Sequence, residues 1–595
     1  MRTIFIISIF TCIMTVATAC SPAPNISISF QPSDLQFSGE RAYDLEQQFV
    51  TTFINRHSGT EQSQLGTEWL RHKFESFGWT CEFDDWQVIN YSQPVDLRNV
   101  VCRLPGVNSE DPREILVMAH HDQAPTTIQG ADNDGSGIAI LLHLAEIFAE
   151  EGPPKYSLVL VADDAEEYGM IGSRRYIQTH PNVENIIGGL SLDNLGRYYY
   201  DSMILESVGQ FSGYSPLWIS LMTKTAVQAA DGLWEVKIKA PLDQALDQAV
   251  PISLTDQGPI VAEGVPALGF GGGYPSGSKL PSEWIPPDSN LSTESTIGDL
   301  HYYLWHNPDD TMEYQSPEAL EQSGLLSEVW IRQLLSMDRF PEESGAYIYF
   351  EGSSQVLRGL PLYLIFIGLV GVFFAGSYFA GERSLAFKKR AWLGALPYFL
   401  GLWLPLIASV VLMYLFVEIG IMEKYHLYPA TTKDPAMLNP RWLAVILYLV
   451  GTAVFLYIGR WLVRKYAGDS VTIEWKEIRS LAFLVIGLVG IYILIANPFS
   501  LLFLVPVLFW FFIRGRKGFG RMLDIFFFVL GGLMLYALIY FFGWQILRYG
   551  WVFLWMFMNI ISIGMFSFPA MLAGTAVVGA GLSMIVNTPK TRTKN

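Results

Sequence analysis

Cysteine is scarce in this chain: 4 among 595 residues, at positions 12, 20, 81 and 102. So few thiols exclude a disulfide-dense scaffold. Positive charge is missing from the first part, where residues 1–355 hold 18 Lys and Arg against 48 Asp and Glu. A stretch that acidic offers no electrostatic footprint for nucleic acid. The second part lacks the opposite sign, since residues 356–595 carry only 8 Asp and Glu beside 21 Lys and Arg. Its long apolar runs are also short of ionisable groups; Asp524 and Arg460 fall near run ends, so no set of them marks an ion or proton path. The split predicts a water-exposed domain followed by a membrane domain.

What is present begins with an export signal over residues 1–20. Arg2 precedes an uncharged apolar core that ends in the small residues ATAC. That end resembles a bacterial lipobox with Cys20 as the lipidated residue, although Ala17 stands where a larger aliphatic residue is usual. An ordinary signal peptide or an uncleaved anchor is the alternative. Residues 21–35, with three prolines and no periodicity, read as a linker to a domain over residues 36–354. Apolar residues spaced by three and four between Ser38 and Phe77 predict two helices, and residues 79–90 and 97–104 predict neighbouring strands. Cys81 and Cys102 fall in those two strands, and in an exported domain such a pair is expected to be bridged.

The informative chemistry starts at ILVMA, residues 115–119, an apolar run suited to a buried strand and ending in His120-His121-Asp122. GADNDGSG (Gly130 to Gly137) follows as a loop, then an apolar helical segment. A second strand, YSLVLVA (Tyr156 to Ala162), delivers Asp163, Asp164, Glu166 and Glu167 to the same edge, where loops leaving an open α/β sheet converge. LSLDNLG ends a third apolar run at Asp193, and His306 opens an acidic turn, HNPDDT. Carboxylates and imidazoles gathered this way either bind metal or raise one another's pKa values, and metal is the cheaper explanation.

These segments resemble the zinc aminopeptidases of peptidase clan MH, in the branch similar to the endoplasmic-reticulum metallopeptidase and its bacterial relatives. That pattern runs H-x-D, G-A-x-D-x-x-S-G, E-E-x-G-x-x-G-S, a strand-end L-D and H-x-P-x-D-T. Here it reads HHD, GADNDGSG, EEYGMIGS (Glu166 to Ser173), Leu192-Asp193 and HNPDDT; the Thr255 to Phe270 stretch matches as well. The resemblance covers residues 35–345 and implies an α/β fold, a mixed central sheet flanked by helices. It implies two zinc ions per chain: His120 and Asp193 on one, Glu167 and His306 on the other. Asp122 would orient His120 and Glu166 would be the general base. The metal-bridging Asp of the family is Asn133 here, an amide where a carboxylate is usual. Asp132 and Asp134 flank it as alternative ligands, so one or two zincs remain open. His121, His143 and His301 lack the family context and are expected to pack rather than ligate.

From residue 355 the chain changes character. Apolar segments of spanning length fall near 357–381, 392–417, 442–462, 480–496, 499–513 and 522–542, with one or two more in 551–587, which predicts an all-α membrane domain over 355–595 with seven or eight spans. Loops 382–392, 460–479 and 514–521 carry 13 Lys and Arg, whereas the alternating loops carry 4. The positive-inside rule therefore puts the first set in the cytoplasm and the acidic domain outside a cell membrane.

The expected function is a multi-pass, membrane-anchored, extracytoplasmic zinc exopeptidase, an aminopeptidase hydrolysing short peptides, with peptide and lipid bilayer as its partners. Two alternatives stand beside it. One is a weak or inactive peptidase-like binding protein, motivated by Asn133. The other is a transport or assembly protein with an accessory peptidase-like domain, motivated by the length of the membrane half.

Overall fold

The computed structural model describes residues 20–90, 93–108, 110–342, 345–380, 385–422, 439–466, 473–541, 553–562 and 567–586. The expected signal lies outside the described residues apart from Cys20. The chain forms two compact units, one over residues 20–358 and one from Gly359 onward.

The first unit is built on an eight-stranded mixed sheet. Its strands are β2 (Thr80–Asn90), β3 (Gln93–Leu104), β4 (Glu114–His120), β5 (Ser157–Asp163), β6 (Ile186–Asp193), β7 (Ser202–Glu206), β8 (Glu235–Lys237) and β9 (Ala267–Gly273), in the order β2-β3-β5-β4-β6-β9-β7-β8. β5, β4, β6 and β9 are parallel, and β2, β3 and β7 add antiparallel flanks. Every residue of β4 is buried, as a strand covered on both faces requires. Its side chains alternate: Ile115, Val117 and Ala119 join the core under the helix at 136–151, while Leu116 and Met118 join the one that holds Tyr176 and Ile260. The chain leaves β4 for β5 on one side and returns to β6 on the other. β4 is thus the switch point of the sheet, and ligands bind at the carboxyl ends of strands there.

Among the described residues this unit also has nine α-helices: α1 (Gly39–Thr52), α2 (Glu61–Ser76), α3 (Ser136–Glu151), α4 (Ile171–Thr179), α5 (Leu217–Ala229), α6 (Pro241–Ala249), α7 (Gln257–Ala262), α8 (Ile297–Leu304) and α9 (Pro317–Ser336). Their starts follow local chemistry. Ser38, Thr60 and Ser316 each accept a backbone N–H of the first turn, and Thr296 with Asp299 closes a capping box. α3 runs straight out of the Gly-Asp loop, and Gly152 at φ 86° ends it.

Cys81 stands directly opposite Cys102 in the β2–β3 register, with Cα atoms 4.1 Å apart, and the two are disulfide-bonded. Cys20 is half-buried and outside that bridge. Residues 21–35 are not a loose linker. Ser21–Pro22 is a strand, β1, pairing with β11 (Gln355–Arg358), which pairs in turn with β10 (Tyr347–Phe350), and Phe30 is buried in the main core. The first domain therefore closes at Arg358 rather than 354. Proline and lack of periodicity conceal a strand this short, because pairing supplies order that local pattern does not show.

The second unit is helical: α10 (Leu360–Ala380), α11 (Leu385–Glu418), α12 (Trp442–Tyr466), α13 (Trp475–Ala496), a 3₁₀ helix at Pro498–Phe512, α14 (Gly520–Phe541), α15 (Phe553–Ser562) and α16 (Phe568–Val586). Among the described residues five helices are long and apolar enough to cross a membrane: Leu360–Phe379, Lys389–Glu418, Trp442–Tyr466, Trp475–Ala496 and Phe568–Val586. The stretch at 499–513 winds as a 3₁₀ helix containing Pro506, and 551–587 holds two helices.

Candidate metal centre

Parallel pairing of β4 with β5 and β6 brings His120, Asp163 and Asp193 to one sheet edge. Glu166 and Glu167 follow in the turn after β5, and His306 arrives from the loop after α8. The loops bend sharply there: Ala165, Asn194 and His306 all have positive φ, an uncommon backbone state for residues with side chains and one that gathers at functional sites.

Asn133 occupies the middle. Its Oδ1 lies 2.9 Å from His120 Nε2, and its Nδ2 lies 2.8 Å from Glu167 Oε1 and 2.8 Å from His306 Nε2. Around this amide, His120 Nε2 is 3.9 Å from Asp193 Oδ1 and 3.8 Å from Glu166 Oε2, while His306 Nε2 is 3.0 Å from Glu167 Oε1. Two triads, His120 with Asp134 and Asp193, and His120 with Glu166 and Glu167, each place their ligand atoms within 4.8 Å of one another. All of these side chains are buried.

The two flanking aspartates have hydrogen-bond partners of their own. Asp132 accepts from Arg197 Nε and Tyr200 Oη, both at 2.7 Å, and from the Gly196 N–H. Asp134 accepts from the N–H groups of His120 and Gly137. Gly137 allows this close approach, since a Cβ there would stand 2.4 Å from the Asp134 carboxylate. It is Asn133 that reaches between the two ligand pairs.

Orientation comes from neighbours. His120 Nδ1 lies 3.3 Å from Asp122 Oδ1 and 3.1 Å from the Asp122 carbonyl, which leaves Nε2 for the centre. Asp122 also accepts from the Glu166 N–H at 3.1 Å and from Ser58 Oγ at 3.1 Å. Several residues that sequence reasoning missed support the loop. Asp310 accepts the Asp132 and Asn133 N–H groups, and fully buried Arg197 ties Asp310 to Asp132. Arg56 donates to the carbonyls of His121 and Gly130. Asp310 stands inside the HNPDDT motif and Arg197 four residues past Asp193, but a partner 65 residues away leaves no local sequence signal. The other histidines do not join the centre: His121 faces the Arg98 carbonyl, His143 contacts Glu146, and His301 stacks on Tyr274.

Burial dominates the electrostatics. It pushes the Glu166 carboxyl well above the usual range, with the nearby carboxylates of Asp256, Glu167 and Asp193 adding to it while His120 opposes. Behind them burial raises Asp163 well above the usual carboxylate range, with the charge of Asp256 adding to it, and burial raises Asp256 to about 6. Burial works to lower the His120 imidazole, yet its contacts with Asp122 and Asp193 and the charges of Glu166 and Asp134 raise it well above its ordinary value. So much buried negative charge asks for a cation. The donors are of the kind zinc takes, imidazole nitrogen and carboxylate oxygen, supplemented by one amide oxygen. They fit the ion: two pairs converge on one amide, each imidazole turning its Nε2 inward.

A family model described as Peptidase family M28 matches residues 99–330. A probable zinc metalloprotease of Pyrenophora tritici-repentis is 37% identical over 112 residues, covering 17% of this chain and 23% of that protein. A vacuolar membrane protease of Clavispora lusitaniae is 34% identical over 98 residues, covering 16% of this chain and 9% of that protein. The match thus spans less than a quarter of either relative. Among solved structures, a zinc aminopeptidase from Bacillus subtilis is 14% identical with a TM-score of 0.41, covering 52% of this chain and 97% of that one. The domain that carries these converging side chains belongs to peptidase family M28.

Proposed function

We propose that the chain is a membrane-anchored zinc exopeptidase, an aminopeptidase acting on short peptides, with residues 20–358 on the extracytoplasmic side. The observation that supports it most is the buried group around Asn133: His120 and Asp193 on one side, Glu167 and His306 on the other, and Glu166 beside them. His120 with Asp193, and Glu167 with His306, would hold zinc. When bound, zinc supplies Lewis acidity, polarising a peptide carbonyl and making water a stronger acid.

The chain's own residues do the rest. Asp122 keeps His120 in one orientation. Glu166 accepts a proton from the attacking water and returns it to the departing amine. Its burial suits that task, because a carboxyl with a raised pKa holds a proton long enough to donate it. The charge split between the two halves of the sequence and the basic loops at 382–392, 460–479 and 514–521 support the orientation.

The test uses the full chain in detergent, with zinc quantified and peptides offered with a free amine, a blocked amine or a free carboxylate. Cleavage that requires the free amine and is lost on chelation is expected. Zinc binding without hydrolysis would instead support the second reading that Asn133 favours, a peptidase-like binding protein. Activity indifferent to the amine but dependent on the free carboxylate would reassign the reaction to carboxypeptidase chemistry.

A further inference from the structure

Helices α11 and α12 pack antiparallel, Gly401 meeting Gly459 and Val463 while Leu412 meets Gly451. Along this seam runs an open groove of about 460 Å³. Its floor is where the backbones touch: a Cβ on Gly459 would stand 2.3 Å from the Gly401 carbonyl oxygen, and one on Gly401 2.3 Å from a Val463 methyl. Pro397, Pro405 and Ala408 line one wall and Phe455 the other; every lining side chain is apolar except for the hydroxyl of Tyr466. Both helices are long and apolar enough to span a bilayer, and in a membrane an open groove between them would be within reach of lipid tails.

One end of the groove is basic. Arg390 and Lys389 precede Pro397 by seven and eight residues, which keeps them on the same helix face about 10 Å further along. Arg464 and Lys465 adjoin Tyr466 on the other helix, with the Lys465 ammonium 4.9 Å from the Trp461 ring. All four cations are exposed. The described residues of α11 and α12 contain one acid, Glu418, at the opposite end of α11. An apolar channel leading into a cluster of exposed cations, with no acid at that end among the described residues of the two helices, complements a molecule with a hydrocarbon tail and an anionic head. A helix from a second copy fits less well. Close helix association in a membrane needs small residues at the contact, and here Gly401 and Gly459 are already used against each other.

We propose that this groove is a binding site for an anionic phospholipid, one acyl chain lying over the Gly401–Gly459 floor and the phosphate among Lys389, Arg390, Arg464 and Lys465. The full chain, purified in mild detergent and exposed to phosphatidylglycerol or phosphatidylcholine vesicles, is analysed by native mass spectrometry for retained lipid. Wild type should retain phosphatidylglycerol in preference by about tenfold, given the attraction each cation contributes. Ala408→Phe, which fills the groove, should reduce retention of both lipids. Lys389→Gln, Arg390→Gln, Arg464→Gln and Lys465→Gln together should leave the two lipids equal; these exposed positions keep the test informative even if the filled variant fails to fold. Equal retention of the two lipids by wild type would overturn the proposal, as would an unchanged preference in the four-fold variant. So would disulfide cross-linking of two chains through Leu404→Cys, which would make a second copy the occupant.

Discussion

The two ligand pairs on either side of Asn133 are built differently. His120 and Asp193 are the last residues of β4 and β6, fixed by the sheet register, and His120 has its N–H on Asp134 and its Nδ1 on Asp122. Glu167 sits four residues beyond β5, and His306 comes from a loop at φ 51°, with Trp305 stacked on it and no hydrogen-bond partner for its buried Nδ1 among the described residues. One side inherits its geometry from strands. The other depends on loops, and its imidazole lacks the hydrogen bond that ordinarily fixes a metal-binding histidine. The expectation is unequal affinity, with zinc held first by His120 and Asp193. If both pairs hold zinc as proposed, the difference would make such a site preorganised on one side only, and the residue between the pairs would govern whether the second side fills.

The harshest test of that contrast is the pair of adjacent glutamates. On the proposed roles Glu166→Gln removes the proton acceptor and leaves the ligands His120, Asp193, Glu167 and His306, so zinc content should stay while turnover falls about 10²- to 10⁴-fold. Glu167→Gln should lose zinc from the loop side together with activity. Metal analysis beside peptide hydrolysis separates the two outcomes. Full turnover in Glu166→Gln would remove the general-base assignment.

Next in size is the support shared by both sides. Arg197 is fully buried between Asp132 and Asp310, and Asp310 holds the N–H groups of Asp132 and Asn133. Arg197→Leu leaves two buried carboxylates without their cation, which should cost about 3–5 kcal/mol of folding stability. Denaturant unfolding of the first unit, followed in the full chain, measures it. A loss below about 1 kcal/mol, the worth of an exposed pair, would mean that the loop is held by its backbone alone.

Much of this was legible in the sequence because it depends on local pattern. The runs ILVMA and YSLVLVA became β4 and β5, and strand-end placement put His120, Asp163 and Asp193 on one edge. Asn133 was readable by motif position. What stayed hidden depends on contacts distant along the chain: Arg197 with Asp132 and Asp310, and β1 with β11 more than 300 residues later. In the second unit hydropathy foretold helices but not the 3₁₀ winding at Pro498–Phe512, since composition reports that a segment is apolar and not how tightly it turns.

Asn133→Asp asks whether the asymmetry is one of charge. An amide gives the centre an oxygen without a negative charge, so Asp193 and Glu167 alone would offset two divalent ions. The substitution should raise zinc toward two per chain and tighten the loop-side ion by about tenfold or more. Equilibrium dialysis against a zinc buffer reads the second affinity directly. Two tightly held ions in the unmodified chain would break the comparison, showing that the amide suffices.

The smallest expected effect concerns Glu46, on the face of α1 beneath the Asn133 loop. Its side chain is fully buried and, among the described residues, neither carboxyl oxygen has a hydrogen-bond partner. Burial raises its pKa well above the ordinary value, and the charges of Asp132, Asp310 and Asp134 raise it further against the opposing pull of Arg56. A folded-state pKa above the unfolded one means that the folded protein holds a proton the unfolded chain has released. Stability from this group is therefore complete below the unfolded pKa and is lost as pH rises through the folded one. Across that window each pH unit should cost about 1.4 kcal/mol. Glu46→Gln stays neutral throughout, so its melting temperature should fall less between pH 5 and pH 8 than that of the unmodified chain. Both should coincide at the acid end. Parallel melting curves for the two proteins would mean that Glu46 ionises normally, and that the loop carrying Asn133 tolerates a negative charge beneath it.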